Sequence, residues 1–500
     1  MNQDNGGIIG KINTPTTSLA SGVWSLDSQF DSQSSSIWPL AFPQTTIANS
    51  LRFNSGSSDY LSRTPSSTGN RRTFTISCWV KRSTLTASGK NIMVAWSGAK
   101  GSSSFGSGIY FNSSDQIEVD HDISGSDYTF NTDMVFRDVS AWYHIVLAVD
   151  TTQATESNRQ KIYVNGSQVA LTESALGFPT QNFDTYFNYS GGENNIGSDY
   201  FTAGYADQYM AEMVMVDGQA LEPTSFGAFN PVTNIWEPIG YGGTYGTNGF
   251  RLDFADSSAL GNDVSGNDND FTVQNLTSLD QSTDTCSNNF MTLTPLSTDS
   301  GVTLSEGNTE SDYDGSVGNA KGNIGLTKGR WYWEVKLTNS TSGYPMIGIG
   351  SMNEAQMQKP TGGSYPGGFS NSYGVYGTNL RLYANGSNLG EQGSSYTTGD
   401  IFGIYLDLES STKTIKWYKN GSSVLSYDIT NAGEDYPFTC MDYNGGESSI
   451  NVNYNFGNPA YTISSGNADD NGYGNFEYSP NISSTKYYAV CTKNLAEFGG

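Results

Sequence analysis

The chain has 500 residues, of which only 15% are charged, and it carries 49 acidic against 24 basic side chains. The resulting net charge of −25, with no cluster of Lys and Arg, argues against a nucleic-acid partner, because phosphate binding needs concentrated positive charge. No apolar run is long enough for a transmembrane helix, and no secretory signal is visible, so we expect neither membrane insertion nor export.

The composition predicts an all-β protein of several domains. The sequence contains 58 Gly, 31 Tyr and 24 Phe residues and is rich in Ser, Thr and Asn. Aromatic and hydroxyl side chains favour strands, and Gly and Asn favour the tight turns between them. The four cysteines are far apart and form no CxxC pair, so we expect Cys78 to be a small buried hydrophobe rather than a metal ligand. The predicted fold is two tandem antiparallel β-sandwiches.

Residues 1–44 are predicted to form an N-terminal anchoring arm. An extended stretch precedes a short amphipathic helix, and the segment is too short to build a core of its own. We expect the arm to dock on sister subunits or on a larger assembly; docking on its own next domain is the alternative. The anchoring side chains would be Ile8, Ile9, Val23, Trp24, Leu26, Phe30 and Trp38.

Residues 45–240 show the strand and turn spacing that is typical of a β-sandwich. The strongest alternating stretches are 74–80 and 142–149. Asn165 and Gly166 predict a tight type I′ hairpin turn, since both residue types tolerate positive φ.

Residues 241–310 are predicted to bridge two domains and to contain the best candidate for a metal site. Its loop 263–270 places Asp, Asn and Ser around a glycine, and Ca²⁺ takes oxygen ligands from such a tight loop. A loop rich in Asx turns that satisfies its own backbone is the alternative and is slightly favoured. The calcium ligands would be Asp263, Asn267 and Asp270, and no other cofactor is expected.

Residues 311–475 repeat the all-β pattern. Strict alternation at 330–337 predicts a strand, and Asn420-Gly421 predicts a second hairpin turn. A C-terminal tail, 476–500, contains one predicted strand at 487–491 and a frayed end.

Two long stretches resemble known domain families. The first is similar to concanavalin A-like domains of the laminin-G type, in Leu51-Arg52-Phe53, Trp142-Tyr143-His144-Ile145-Val146 and Tyr163-Val164-Asn165-Gly166. The second resembles a SPRY domain, in Trp331-Tyr332-Trp333-Glu334-Val335, Gly399-Asp400-Ile401-Phe402-Gly403, Trp417-Tyr418-Lys419-Asn420-Gly421 and Tyr454-Asn455-Phe456-Gly457. These resemblances imply lectin-like sandwiches that present binding surfaces.

The combination of these domains with the stretches 7–15 and 22–26 resembles marine bacteriophage tail fibres and other virion structural proteins. That resemblance implies a place on the virion surface, at the tail or the head, with the arm bound to other virion proteins. It also implies a homo-oligomer, a trimer as in fibres, and adhesion to host-surface glycans.

Aromatic residues among Gly, Asn and Ser are the best candidates for ligand binding, because they offer apolar area at low entropic cost. They would equally suit a core or packing between subunits. The predicted ligand-binding residues are Tyr186, Tyr189, Tyr200 and Tyr205 in the first sandwich and Tyr373, Tyr376 and Tyr383 in the second.

Catalytic patterns are weak, so we expect a non-enzymatic protein. His144 fits the family strand and is expected to be structural, whereas His121 is expected at a solvated strand end. Glu118 and Asp120 are the nearest approximation to a glycosidase pair, and Glu334 already belongs to the SPRY strand. The alternatives to adhesion are a purely architectural component of the virion and a polysaccharide-cleaving virion enzyme.

Overall fold

The computed structural model describes residues 45–499 except 88, 99–104, 124–125, 200–203, 232, 341–344, 359–363 and 446–448. The predicted arm therefore lies outside the described residues, with all its anchoring candidates, Ile8, Ile9, Val23, Trp24, Leu26, Phe30 and Trp38. In the described part the protein is all-β, as predicted. None of the helices there is long and apolar enough to cross a membrane.

The first sandwich is built mainly from strands between residues 50 and 217. In chain order these are β1 (Ser50–Phe53), β2 (Tyr60–Arg63), β3 (Thr73–Arg82), β4 (Lys90–Trp96), β5 (Gly106–Phe111), β6 (Ile117–Ile123), β7 (Ser126–Thr132), β8 (Trp142–Asp150), β9 (Gln160–Val164), β10 (Ser167–Gln168), β11 (Leu171–Glu173), β12 (Asn194–Ile196) and β13 (Gln208–Asp217).

Residues 224–242, together with the described residues 45 and 46, belong to a separate compact unit. Its strands β14 (Gly227–Phe229) and β15 (Trp236–Pro238) form an antiparallel pair. The backbone N–H of Thr45 donates to the carbonyl of Pro238 at 2.9 Å.

The segment that was predicted as a bridge adds strands to the first sandwich. These are β16 (Phe250–Leu252), β17 (Thr272–Gln274) and β18 (Gln281–Ser282), which pair with β13, β2 and β1, respectively. The two sheets have the orders β10-β9-β8-β3-β13-β1-β18, with β16 on β13, and β11-β7-β6-β5-β4-β12-β2-β17.

The core of this sandwich lies between the two sheets and contains alternate residues of strands such as β3 and β6. Phe74, Ile76, Cys78 and Val80 of β3 belong to it, and Val119 of β6 belongs to it from the opposite sheet. Cys78 is 1% exposed, which confirms its prediction as a buried hydrophobe.

The second sandwich follows the same plan. Its strands are β19 (Thr303–Ser305), β20 (Glu310–Asp312), β21 (Val317–Lys321), β22 (Arg330–Ser340), β23 (Met346–Ser351), β24 (Ser372–Tyr376), β25 (Arg381–Ala384), β26 (Ser387–Glu391), β27 (Ile401–Asp407), β28 (Lys413–Lys419), β29 (Ser422–Ile429), β30 (Phe438–Gly445), β31 (Ile450–Asn455) and β32 (Tyr488–Ala489). The sheet orders are β19-β20-β31-β22-β27-β28-β29 and β21-β30-β23-β24-β25-β26. Short helices are α1 (Ala355–Gln358) and α2 (Thr492–Phe498), and single 3₁₀ turns occupy Glu156–Asn158, Pro223–Ser225, Glu306–Asn308 and Thr378–Leu380.

Both predicted Asn-Gly hairpins are present. Asn165 and Gly166 connect β9 to β10 with φ values of 47° and 80°, and Asn420 and Gly421 connect β28 to β29 with 48° and 77°. Two successive positive φ values match the right-handed twist of the strands, so these turns are confirmed as type I′.

The C-terminal segment covers the outer face of β22. Trp331, Trp333 and Val335 point into the core, so the residues between them face outward. There Tyr332 packs in a buried cluster with Phe476 and Tyr487. Strand β32 pairs in parallel with β22, and α2 follows it, where the sequence predicted a frayed end.

Buried contacts fix the two sandwiches to each other through residues 284–308. The Tyr209 hydroxyl donates to the carbonyl of Gly307 at 3.1 Å, and the Asn308 amide donates to the carbonyl of Ser83 at 2.8 Å. Since all four residues lie within one compact unit, the sandwiches are fused rather than connected by a free linker.

Candidate functional site

Strand β6 carries partly buried acidic side chains on the outer face of its sheet. Ile117, Val119 and His121 point inward and are at most 2% exposed, so Glu118, Asp120 and Asp122 point outward. Asp127 of β7 lies directly opposite Asp122. We call Glu118, Asp120, Asp122 and Asp127 the acidic face.

Two members of the acidic face are held in distinct environments. The Tyr110 hydroxyl donates to Glu118 Oε1 at 2.6 Å, and Asn112 Nδ2 donates to Oε2 at 3.0 Å. Burial, followed by repulsion from the carboxylates of Asp127 and Glu118, raises the pKa of Asp120 well above its usual range. Asp120 therefore keeps its proton to a higher pH than an ordinary aspartate does.

Glycines next to the acidic face make room for an aromatic ring. Gly106 lies opposite Asp122 in the sheet, and a Cβ atom there would lie 2.1 Å from the ring of Trp96. A Cβ atom at Gly192 would lie 1.4 Å from the carbonyl oxygen of Trp96. The loop at 189–192 and the Trp96 ring thus lie directly against the sheet, and only glycine fits at either position.

A cluster of Arg71, Tyr186 and Tyr189, which we call the tyrosine–arginine cluster, adjoins the acidic face. The guanidinium carbon of Arg71 lies 4.7 Å from the ring centroid of Tyr189 and 5.4 Å from that of Tyr186. The two tyrosine rings are 6.1 Å apart at an angle of 76°. Burial raises the pKa of Tyr186, with an opposing effect from Arg71 and a smaller contribution from Asp122. A Cβ atom at Gly192, which would touch the carbonyl oxygen of Trp96, would also lie 3.4 Å from the Tyr189 ring, so the cluster lies near the Trp96 end of the acidic face.

Tyr205, another tyrosine predicted for the first sandwich, belongs to a different aromatic contact. Tyr205 packs with Tyr60, with ring centroids 6.0 Å apart. Tyr200 lies outside the described residues. The sequence prediction missed Arg71 and Trp96, although Arg71 belongs to an Arg-Arg pair in a chain that has few basic residues.

The tyrosines predicted for the second sandwich lie on strands rather than on loops. Tyr373 is 0% exposed and packs in the core, so a ligand cannot reach its ring. Tyr376 and Tyr383 are partly exposed on β24 and β25. Tyr383 packs against Tyr365, whose ring also contacts Tyr443 at a centroid distance of 5.7 Å.

The loop predicted to bind calcium satisfies its own oxygens. The Asp263 carboxylate accepts the N–H groups of Arg251, Ser265 and Asn269, each at 2.9 Å, and Asp270 Oδ1 accepts the N–H of Asp263 at 2.8 Å. The Asn267 amide donates to two backbone carbonyls. No group of three or more His, Cys, Asp or Glu side chains that could hold a metal occurs among the described residues. The geometry favours the self-satisfied loop, and calcium stays a prediction.

The two histidines are both structural. His144 lies in the interior, 2.9 Å from the Ser77 hydroxyl, and stacks on Trp79, in agreement with the predicted structural role. The prediction of a solvated position for His121 is wrong: its ring is 2% exposed and bonds to Ser107 and Gln160. The strand alternation that turns Asp120 and Asp122 outward turns His121 inward.

The fold and these surfaces define a protein built from two β-sandwiches of binding type. Residues 55–212 match the concanavalin A-like lectin/glucanases superfamily, and residues 330–454 match the SPRY domain family. The predicted order, a laminin-G-type domain followed by a SPRY domain, is confirmed.

Solved structures with similar chains include SPRY domains. The human SPRY domain is 20% identical, with coverage of 33% of this chain and 98% of that chain and a TM-score of 0.26. The SPRY domain of human HERC1 is 17% identical, with coverage of 32% and 96% and a TM-score of 0.28. No curated protein matches the chain. At these TM-scores the structures add nothing to the assignment of the second sandwich.

Proposed function

We propose that the chain is a non-enzymatic bacteriophage virion structural protein that adheres to host-surface glycans through its first sandwich. The observation that carries the proposal is the tyrosine–arginine cluster beside the acidic face. Resemblance of the sequence to virion structural proteins supports the location, and the two binding-type folds support adhesion.

The chemistry of this surface suits a sugar. Aromatic rings such as Tyr189 and Trp96 offer flat apolar area for the C–H faces of a sugar ring. Carboxylates accept hydrogen bonds from sugar hydroxyls, and charge-assisted bonds of this kind are the stronger ones. Because Arg71 already packs on both tyrosines, the rings are ordered before a ligand arrives, which lowers the entropic cost of binding.

We expect Tyr189→Ala to weaken glycan binding by at least about tenfold, which corresponds to about 1.4 kcal/mol. The physical reason is the loss of a stacked aromatic face. The measurement is titration of the full chain against bacterial surface polysaccharides that the unmodified protein binds on an array.

Tyr383→Ala is the matched control, because it removes a partly exposed tyrosine from the second sandwich. Its affinity should stay within about twofold of the unmodified protein. Equal losses of glycan affinity in both variants would contradict the assignment of glycan binding to the first sandwich. No saturable binding to any polysaccharide would favour the purely architectural alternative.

A polysaccharide-cleaving enzyme is the second candidate, and one observation favours it. Glu118 and Asp120 share one face of β6, and a carboxyl group with a raised pKa can act as a general acid. Under the adhesion proposal, incubation with a bound polysaccharide releases no new reducing ends. Release that is abolished by Glu118→Gln or Asp120→Asn would establish the enzyme instead.

We further propose that residues 1–44 attach the protein to other virion proteins and that it assembles as a homo-oligomer. Cryo-electron microscopy of the intact particle tests this directly. Density for the chain among tail subunits supports host recognition, and many copies on the head lattice support a decorating role. Absence of the chain from the particle would refute the virion assignment.

A further inference from the structure

A cleft of about 260 Å³ lies where the edge of the first sandwich meets the second. One wall comes mainly from β18 and the residues on either side of it, and the other from the segment 457–463 that follows β31. A contact of 3.5 Å between Asn458 Nδ2 and Ser282 Oγ joins the two walls. Neither the tyrosine–arginine cluster nor the acidic face contributes a residue to this lining, so the cleft is a separate surface.

The lining of the cleft is uncharged. None of the described residues that form it carries a charge, although 15% of the whole chain does. The acidic residues next to β18 are buried and bonded within the protein: Asp280 accepts the N–H of Thr277 at 2.6 Å, and Asp284 pairs with Lys81 at 2.8 Å. A charged ligand would give up hydration here without gaining an opposite charge, so the cleft favours a neutral one.

A buried amide in this lining has an unused acceptor. Asn458 is 3% exposed, and its Oδ1 has no hydrogen-bond partner among the described residues. A buried acceptor in that state has lost its hydration and gained nothing in return. A ligand hydroxyl that donates to Oδ1 recovers this loss, and Asn458 thus marks a point of ligand contact.

Amide and hydroxyl groups form most of the remaining polar lining. The Gln281 amide nitrogen donates to the carbonyls of Phe254 and Ala255 at 2.6 and 2.9 Å, so this side chain is held in place before a ligand arrives. Hydroxyl groups come from Thr283 and Thr462, among others. Amides and hydroxyls both donate and accept hydrogen bonds, and the hydroxyl groups of a sugar do the same.

Apolar side chains complete the lining. Leu279, Pro459 and Ile463 belong to it, and Leu279 is 37% exposed. A sugar ring alternates hydroxyl groups with C–H groups, so a lining that mixes amides with apolar side chains contacts both sets at once.

Tyr461 forms part of one wall, and a cation beside it is already balanced. The Lys336 ammonium lies 4.6 Å from the centroid of the Tyr461 ring. Hydrogen bonds from Ser464, and to a smaller extent the charge of Lys336, lower the pKa of Glu477. Because a carboxylate accompanies Lys336, this lysine does not turn the cleft into an anion site.

We propose that this cleft binds a neutral sugar ring, with Asn458 as the acceptor for one of its hydroxyl groups. The volume of about 260 Å³ lies just below the range of about 300–1,000 Å³ that is usual for drug-sized ligands, so the cleft suits one ring rather than a long stretch of polymer. A peptide fits less well, because β18, the strand edge here, is only two residues long and cannot hold an added strand. The proposal does not depend on the tyrosine–arginine cluster.

The test uses the full chain with Tyr189→Ala, so that the tyrosine–arginine cluster does not contribute to the signal. The probes are the methyl glycosides of glucose, galactose and N-acetylglucosamine, each titrated by ligand-observed NMR against its charged counterpart, the two uronides and the glucosaminide. We expect saturable binding of at least one neutral glycoside and binding at least about tenfold weaker for its charged counterpart. Equal binding of the charged counterpart would overturn the neutral class, and no saturable binding of any neutral glycoside would overturn the site.

Two further substitutions in this chain locate the binding. Thr462→Trp places an indole at an exposed position of the lining and should weaken binding at least about tenfold by filling the cleft. Asn458→Ala should weaken it about three- to tenfold, through the loss of one neutral hydrogen bond. Unchanged binding in Thr462→Trp would overturn the placement of the sugar in this cleft.

Thr155→Trp is the matched control, since it enlarges an exposed threonine of the first sandwich that lies outside the cleft and makes no capping bond. It should retain binding within about twofold. Thermal melting of each variant verifies folding. Because Tyr189 is already replaced in all these chains, failure of the cleft proposal leaves the result for the tyrosine–arginine cluster untouched, and the two failures are distinguishable.

Discussion

Replacing Asp284 with alanine is expected to lower the free energy of unfolding by about 3–5 kcal/mol. Asp284 Oδ2 pairs with Lys81 Nζ at 2.8 Å, and the two side chains are 0% and 1% exposed. Trp142 Nε1 also donates to Asp284 at 3.1 Å. Removal of the carboxylate leaves a buried ammonium group without a counter-charge, which is the costly state. Chemical denaturation at neutral pH measures the loss.

The pair Arg72–Asp184 provides the matched control. Its side chains are 43% and 46% exposed, and its shortest distance is 2.6 Å. Asp184→Ala should therefore cost no more than about 1 kcal/mol, since water replaces the lost partner. A similar loss in both variants would show that burial does not govern the effect at Asp284.

The second large effect is a loss of stability in acid that comes from the two buried histidines. Burial lowers the pKa of His144 to about 3 and that of His121 to about 4. In the unfolded chain both histidines are protonated near pH 6.5, whereas in the folded protein they are protonated only at about pH 3 and about pH 4. Stability from each histidine is thus complete above about pH 6.5 and is lost as the pH falls toward about 4 and 3, by roughly 3–5 kcal/mol each.

Asp442 acts in the opposite direction. Burial raises its pKa to about 6, although Ser311, Tyr313 and the N–H of Ala320 bond to it. The stabilisation that protonated Asp442 contributes to the free energy of unfolding is complete below about pH 4 and is lost as the pH rises through about 6. The total pH profile therefore mixes both effects, and single variants are needed to separate them.

The measurement is the free energy of unfolding from pH 7 to 4 for the unmodified chain and for His144→Gln. The variant should lose less stability than the unmodified protein over this range, whatever its value at pH 7. Asp442→Asn should change the slope in the other direction between pH 4 and 6. Parallel profiles for all three proteins would contradict the assignment of these groups.

Much of the fold was predictable because strands and tight turns depend on short patterns. The alternating stretches 74–80, 142–149 and 330–337 correspond to β3, β8 and β22, since period-two alternation buries one face of a strand. The Asn-Gly turns were predictable for the same reason: two residues decide the turn type.

The candidate site was predictable only in part. Composition pointed to Tyr186 and Tyr189, but Arg71 and Trp96 join them through sheet pairing and a loop that passes over β4. Composition also could not separate Tyr373 from Tyr376. Both lie on β24, but their side chains point to opposite faces of the sheet. A register shift of one residue would move each side chain from the core to the surface or the reverse.

By itself, then, the sequence determined the all-β class, the order of the two domain types, the main strands and the hairpin turns. Each of these is set by neighbouring residues and by the period of their burial. Only the tertiary structure decided which distant side chains meet, such as Lys81 and Asp284, which are 203 positions apart. The physical reason is that such contacts follow from strand order and register across the whole chain, which no local pattern encodes.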